Sequence, residues 1–253
     1  MKAALQHEWQ AFWLALGFLT RIPMLVRIDY SPGLMKDSSA YFPLIGLLLG
    51  GLYLALFALL APYWPQPVCV ILVLGFHLWI TGAFHEDGWA DSVDALGGGY
   101  TIEDRLTIMK DSRIGTYGSL ALILALALKA VLIPAVEPLW LAWLLPPVVA
   151  RLTPLWLMAS LDYVTHIDHS RSKPVADGFN RGRLWVATLA TLVPVGLWLG
   201  PRIAVLSLLA VALTGLLWGW TSRRALGGYT GDVLGASVVL TELVLLLALT
   251  GAF

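Results

Sequence analysis

The chain has 253 residues, of which 58% are hydrophobic and only 13% are charged, and its mean hydropathy is +0.78. Because soluble domains average about 25% charged residues, this composition excludes a soluble enzyme, a disordered chain and a disulfide-stapled secreted domain. The net charge is zero and Cys69 is the only cysteine, so neither nucleic-acid binding nor an intrachain disulfide is expected. Residues 41–84 contain no Asp, Glu, Lys or Arg, which allows two membrane crossings of about 20 residues each. The sequence therefore predicts an integral membrane protein.

The first apolar stretch, residues 9–22, is short and close to charged residues. It is open to three interpretations: an eighth span, a re-entrant segment, or an interfacial helix that carries Trp9 and Trp13 at headgroup depth. Beyond it, apolar runs between charge clusters predict seven membrane-spanning helices. These spans are residues 41–62, 66–84, 115–136, 139–160, 184–200, 202–221 and 233–253. We therefore expect one all-α polytopic membrane domain, a helical bundle that occupies residues 1–253.

The loops between the spans predict the orientation of the bundle. If the seven spans alternate, residues 21–40, 85–114, 161–183 and 222–232 lie on one face of the membrane. These loops hold 12 of the 16 Lys and Arg residues. Because cytoplasmic loops carry an excess of Lys and Arg, we expect all four to face the cytoplasm.

Acidic residues cluster in the loop 85–114, which alone carries seven of the 16. At 100° per residue, Asp87, Asp91 and Asp94 fall within about 60° of one helix face. Carboxylates at this spacing repel one another, and their oxygens are the ligands that Mg²⁺ prefers. A solvated acidic face is the other interpretation, but such faces usually alternate acids with lysines, and none interrupts this stretch. We predict a metal site here, with Glu86 a weaker candidate because it points about 100° away from Asp87.

Glycines and basic residues follow the acidic face. Gly97 and Gly98 belong to a run of three glycines that ends the helix and could hold a phosphate, although such a run is more often a hinge. Lys110 and Arg113 precede the third predicted span. They could neutralise phosphate oxygens or only anchor the chain at the membrane interface. Asp111, between them, is a candidate fourth carboxylate for the metal.

Another cluster lies just before the last span, on the same predicted face. It combines Arg223 and Arg224 with three glycines and Asp232. Carboxylates for a metal, cations for a diphosphate and flexible glycine loops together indicate phosphoryl transfer, which mainly needs positioning and charge neutralisation. Two ions held between such carboxylates would stabilise both the attacking and the leaving oxygens.

Three segments resemble the signature motifs of the cobalamin synthase (adenosylcobinamide-GDP ribazoletransferase) family. They are FHEDGWADSVDALGG at 84–98, MKDSRIGTYG at 109–118 and GGYTGDVLGA at 227–236. FLTRIP at 18–23 and YFPLIG at 41–46 are similar to the start of that family, less specifically. The resemblance runs from about residue 12 to the end of the chain, and the motifs keep the order of the family.

The resemblance implies an inner-membrane enzyme of bacteria or archaea that acts in the last steps of cobalamin biosynthesis. That family joins adenosylcobinamide-GDP to α-ribazole, or to its 5′-phosphate, releases GMP and requires Mg²⁺. A hydroxyl of ribazole attacks the phosphate on the cobinamide side. The expected partners are therefore these substrates and the lipid bilayer, with contacts to a second copy or to neighbouring pathway enzymes left open.

The motif positions carry the expected roles of individual residues. The expected metal ligands are Asp87, Asp91, Asp94 and Asp111. The expected catalytic residues are Asp94, Asp232, Lys110 and Arg113. The expected substrate-binding residues are Lys110, Arg113, Arg223, Arg224, Gly97 and Gly98. Either Asp94 or Asp232 is expected to accept the proton of the attacking hydroxyl.

Three further charged residues lie inside or at the edge of predicted spans. Lys129 is expected to snorkel toward a membrane interface. Arg151 could reach the substrate cavity, and Glu242 could pair with it or line the site.

The alternative function is a membrane transporter with an acidic cation-binding site, because polar residues within spans can mark ion pathways. The clustering of the acids at one aqueous face favours the enzyme.

Overall fold

The structure is a computed structural model that describes residues 2–164 and 181–251. These residues form twelve α-helices and no β-strand, and their extended pairing is limited to an isolated bridge between Tyr163 and Tyr229. The helices are α1 Lys2–Leu19, α2 Pro32–Ser38, α3 Phe42–Leu60, α4 Gln66–Thr81, α5 Phe84–Gly98, α6 Ile102–Ile108, α7 Thr116–Leu132, α8 Leu139–Ala150, α9 Thr153–Ser160, α10 Arg181–Trp198, α11 Pro201–Leu226 and α12 Gly231–Thr250. The predicted all-α fold class is confirmed.

Five helical stretches among the described residues are long and apolar enough to cross a membrane. They are Pro32–Leu60, Thr116–Ala135, Leu139–Ser160, Pro201–Leu226 and Gly231–Thr250. Each coincides with a predicted span, and the bent pair of α4 and α5 makes a sixth if it counts as one crossing. The predicted span 184–200 corresponds to α10. Helix α10 is not one of the five stretches that are long and apolar enough to cross a membrane, and its first turn carries Arg181 and Arg183.

The predicted second span, residues 66–84, ends in a sharp bend. After Thr81 the chain reaches Gly82, whose φ of +70° lies in the left-handed region that glycine adopts without steric cost. A Cβ at this position would also lie 2.7 Å from Nε of Arg21. Helix α5 then leaves at 88° to α4. The bend therefore separates the acidic segment from the apolar helix before it.

The outside of the bundle is apolar and part of its inside is charged. On α7 and α11, Ile123 is 64% exposed, Val131 68% and Leu216 72%. Lys129 and Arg151, in contrast, are only 3% and 1% exposed. A water-soluble fold places such groups the other way round, whereas intramembrane charges normally face the interior of the bundle. This distribution supports a multi-pass membrane protein.

Helix α12 lies at the centre of the bundle. It packs against α5, α7, α8, α9 and α11, and most of its side chains are buried. Its closest neighbour is α5: a Cβ on Gly235 would lie 3.4 Å from the backbone of His85. The first turns of α5 and α12 therefore meet, which brings two distant sequence motifs together.

The N-terminal segment is helical and packs against α2 and α3. Arg183 of α10 donates two hydrogen bonds to Glu8 of α1, each 2.7 Å long, and its Nε lies 3.2 Å from Asp37 of α2. The hydrogen bonds from Arg183 lower the pKa of Glu8. Helix α1 is therefore attached to the bundle by an ionic contact at one end, and it is not among the described helices apolar enough to cross a membrane.

Candidate active site

Helix α5 carries the three predicted carboxylates. The acidic segment is helical as predicted, and the helix ends at Gly98. Asp87 is exposed, Asp91 is partly buried and Asp94 is buried. The acidic face therefore extends from solvent into the bundle within two turns of one helix.

Asp232, in the first turn of α12, joins this face. A Cβ on Gly88 would lie 2.8 Å from the carbonyl oxygen of Asp232 and 3.0 Å from its Cα, so the two backbones touch. Asp91 lies close enough to Asp87, Asp94 and Asp232 to interact electrostatically with all three carboxylates. In the part of the chain that the structure describes, no Lys, Arg or His forms an ion pair with any of these four carboxylates. Among the described residues, these four acids therefore have no positive partner.

Asp94 has a structural contact of its own. Its Oδ2 accepts a hydrogen bond of 2.7 Å from the amide of Gly115, and its Oδ1 accepts one of 2.8 Å from the amide of Gly118. These amides open α7, so the Asp94 carboxylate caps the positive end of that helix. A Cβ at either glycine would collide with the carboxylate, which explains why both positions are glycine. Sequence reasoning missed this role, although two glycines three residues apart at a helix start were a usable signal.

The loop before α7 holds the predicted cations. Arg113 forms a bidentate ion pair with Asp111, with 2.6 Å between Nη2 and Oδ2. This hydrogen bonding lowers the pKa of Asp111 to about 2. Lys110 is exposed. Because the loop ends at Gly115, the Asp94 cap attaches it to the acidic face.

The other predicted substrate-binding residues lie at helix ends. Arg223 and Arg224 are exposed in the last turn of α11, and the guanidinium of Arg224 stacks 4.7 Å from the ring centre of Trp220. Gly97 and Gly98 are exposed at the end of α5. A Cβ on Gly97 would lie 2.7 Å from the ring of Tyr117, so this glycine permits a close contact with α7. The substrate-binding role of these residues stays a prediction.

Arg105 of α6 is a further residue that sequence reasoning did not single out for the site. It donates a hydrogen bond of 3.0 Å to the carbonyl oxygen of Ala225, in the last turn of α11. The segment after the acidic helix is thereby tied to the arginine cluster of α11. All three motif regions consequently belong to one end of the bundle.

The donor chemistry of the acidic face fits Mg²⁺. Asp87, Asp91 and Asp232 offer hard oxygen ligands and have no ion-pair partner among the described residues. Within the described ranges, no group of three or more His, Cys, Asp or Glu side chains is gathered closely enough to hold an ion alone. Mg²⁺ usually keeps several waters and binds through one or two carboxylates plus substrate phosphates, so a complete protein cage is not required. The metal roles of Asp94 and Asp111 stay predictions.

Comparison with known proteins decides the family. The sequence profile of the family described as cobalamin-5-phosphate synthase matches residues 11–250. The chain belongs to this family. It is 38% identical over 252 residues to the adenosylcobinamide-GDP ribazoletransferase of Vibrio cholerae, with 98% of this chain and 96% of that protein covered. It is 40% identical over 249 residues to the protein of the same name from Ralstonia pickettii, with 96% of each chain covered. It is 39% identical over 254 residues to the protein of the same name from Shewanella woodyi, with 98% of each chain covered. No solved structure matches the chain.

This member of the cobalamin-5-phosphate synthase family also contains a buried ion network beside the acidic face. Lys129 Nζ lies 2.7 Å from Glu242 Oε2 and 3.2 Å from Glu86 Oε1. Arg151 Nη1 lies 3.6 Å from Glu242 Oε1, and His77 Nε2 lies 2.9 Å from Glu86 Oε1. The expectation that Lys129 snorkels to an interface is wrong, because two buried carboxylates neutralise it inside the bundle. Of the two interpretations of Glu242, pairing with Arg151 is the one observed.

Proposed function

We propose that this protein is an Mg²⁺-dependent adenosylcobinamide-GDP ribazoletransferase of the inner membrane. The observation that carries the proposal is the meeting of Asp87 and Asp91 on α5 with Asp232 on α12, without a positive partner among the described residues. Such a site suits a divalent cation together with a diphosphate. The relatives from Vibrio, Ralstonia and Shewanella bear the name of this activity, and they lend no support to the alternative of a transporter.

In the proposed reaction, a hydroxyl of α-ribazole, or of its 5′-phosphate, attacks the phosphorus attached to cobinamide. A new oxygen–phosphorus bond forms, the bond from that phosphorus to the bridging oxygen breaks, and GMP leaves with the electron pair. Bound Mg²⁺ would neutralise charge on the diphosphate. Lys110, Arg113, Arg223 and Arg224 are proposed to bind the phosphates, with Gly97 and Gly98 leaving room for them.

The hydroxyl proton needs an acceptor. Both oxygens of Asp94 already accept amide hydrogen bonds from the start of α7. Among the described side chains, only Thr230 donates a hydrogen bond to the Asp232 carboxylate, at 3.5 Å. We therefore favour Asp232 as the general base, Asp87 and Asp91 as the metal ligands, and Asp94 as the residue that holds α7 in place. The loops that carry these groups are proposed to face the cytoplasm, where nucleotide substrates are available.

The experiment is product formation by the purified protein in liposomes. Adenosylcobinamide-GDP and α-ribazole are supplied with and without Mg²⁺, GMP release is measured, and the corrinoid product is identified by its mass. We expect a product that requires both substrates and the metal, and at least about 100-fold less product from Asp91→Asn. Folded protein that forms none with α-ribazole or with its 5′-phosphate would contradict the proposed activity, and a transport assay would then follow.

A further inference from the structure

The ion network, defined as Glu86, Lys129, Glu242 and Arg151, connects the helices that build the acidic face. Lys129 belongs to α7, but its Nζ contacts Glu86 on α5 and Glu242 on α12. Glu86 directly precedes Asp87. Glu242 follows Asp232 by ten residues, which is about 15 Å along a helix. One buried ammonium group therefore joins the two helices whose carboxylates meet at the site.

Helix α5 is held to α7 at two places, and two of the acids lie between them. Near its start, Glu86 pairs with Lys129, close to the end of α7. Near its end, Asp94 accepts the amides at the start of α7. The two helices thus run in opposite directions. Asp87 and Asp91 lie between these two attachments, so rotation or sliding of α5 is restricted just where they are presented.

Stability alone does not account for a network of this kind. Ion pairs in an apolar interior carry a large desolvation penalty, and well-packed hydrophobic residues are often as stabilising. What ion pairs add is a distance requirement, because the attraction depends on close approach of defined atoms. The network is balanced, with two carboxylates and two cations, and His77 and Tyr53 extend it by hydrogen bonds of 2.9 Å and 2.7 Å. Charged groups inside a membrane domain usually serve function.

We propose that Lys129 is a positioning residue that, through Glu86 and Glu242, sets α5 against α12 so that Asp87 and Asp91 face Asp232. The inference deepens the proposed function, because it assigns to a buried lysine the alignment of the carboxylates that would hold the metal. Lys129 itself touches neither substrate nor metal. Its effect is transmitted through the two helices that it joins.

The test compares variants that keep or remove this connection. Lys129→Met leaves two carboxylates with one cation and could prevent folding. The double variant Glu86→Gln with Lys129→Met keeps one acid, Glu242, opposite one cation, Arg151. Lys129→Arg keeps the charge in place. Thr241→Val, on α12, is the matched control, because it removes a buried hydrogen bond of 2.9 Å to Thr153 of α9 and leaves the ion network intact.

Two readouts are measured on protein in detergent: binding of Mn²⁺, followed by loss of the free-ion signal in electron paramagnetic resonance, and turnover with Mg²⁺. We expect the double variant to fold and to bind Mn²⁺ about tenfold more weakly, since partners that orient metal ligands are typically worth 10–100-fold in affinity. Turnover should fall in parallel. Lys129→Arg keeps a positive charge between the two carboxylates, so it should bind Mn²⁺ more tightly than the double variant. Thr241→Val should equal the wild type.

The outcomes separate this inference from the proposed activity. A folded double variant with wild-type Mn²⁺ binding overturns the inference, whatever its turnover. Wild-type protein that binds no Mn²⁺ also overturns it. Wild-type protein that binds Mn²⁺ but forms no product contradicts the proposed activity only, and the positioning role is then decided by the Mn²⁺ binding of the variants.

Discussion

Gly88 of α5 and Asp232 of α12 are in backbone contact at the point where the acidic face is formed. A Cβ on Gly88 would meet the Asp232 carbonyl oxygen at 2.8 Å and its Cα at 3.0 Å. Both atoms belong to the backbone, so the neighbour cannot yield by rotating a side chain. The distance between the two helices is consequently set by the absence of a side chain at Gly88.

Gly88→Ala should therefore push α12 away from α5 and misplace Asp232. We expect turnover to fall by at least about tenfold, because a displacement of about 1 Å at a catalytic group can cost about 10²-fold. The matched control is Gly75→Ala in α4, where a Cβ meets no atom within 4 Å. This control should keep full activity and gain up to about 1 kcal/mol of helix stability. Equal activity of the two variants would contradict the proposed role of the contact.

Asp94 and Asp91 should respond differently to the same substitution. Asp94→Asn disrupts one of the two amide hydrogen bonds at the start of α7, and we expect it to destabilise the fold by about 2 kcal/mol. Asp91→Asn relieves repulsion among carboxylates, so it should leave the thermal midpoint unchanged or raise it. Its turnover should nevertheless fall at least about 100-fold, because charge stabilisation by a bound metal is worth several kcal/mol.

Thermal unfolding in detergent and turnover, measured on both variants, check this prediction. Asp87→Asn should behave like Asp91→Asn, since Asp87 lies on the exposed part of the same helix face. A lower thermal midpoint for Asp91→Asn than for Asp94→Asn would show that the two roles have been assigned the wrong way round.

The pH profile should not depend on Asp111. Its pKa is lowered to about 2 by hydrogen bonding with Arg113, so the carboxylate stays ionised as the pH falls and gains a proton only near that value. Any loss of turnover between pH 7 and pH 4 must then arise from another group. We expect Asp111→Asn to show the same acid limb as the wild type. A shift of that limb by one pH unit would contradict this assignment.

Arg113 should matter for substrate binding rather than for stability. Its side chain is 87% exposed, and exposed ion pairs contribute little to folding. Arg113→Ala should keep the thermal midpoint and raise the KM for adenosylcobinamide-GDP, with an effect that shrinks as salt is added. Arg202→Ala is the control and should leave the KM unchanged, because Arg202 lies at the start of α11, at the other end of that helix from Arg223 and Arg224.

The sequence was sufficient for the fold class and for the acidic helix, because both follow from local patterns. The long apolar runs predict membrane helices, and the spacing of Asp87, Asp91 and Asp94 predicts one face. The bend at Gly82 and the end of α4 at Thr81 were not predicted, because a left-handed residue in an apolar run leaves the hydropathy unchanged.

The pairing of distant residues was beyond the sequence. Nothing local indicates that Lys129 meets Glu86 and Glu242, since the ion network depends on how three helices pack. The capping of α7 by Asp94 left only a partial signal, because the two glycines at the start of α7 do not identify the carboxylate that they contact. The Asp94 carboxylate was predicted as a metal ligand from its position on the helix face, and the contact with Gly115 became visible only with the fold.

The bend between α4 and α5 determines how the acidic helix is oriented relative to α4. If α4 stands upright in the bilayer, a helix at 88° to it lies along the membrane surface. Asp87 and Asp94 are then at similar depth, about 10 Å apart along the helix. A substrate with a water-soluble nucleotide and a bulky corrinoid can settle sideways onto such a platform.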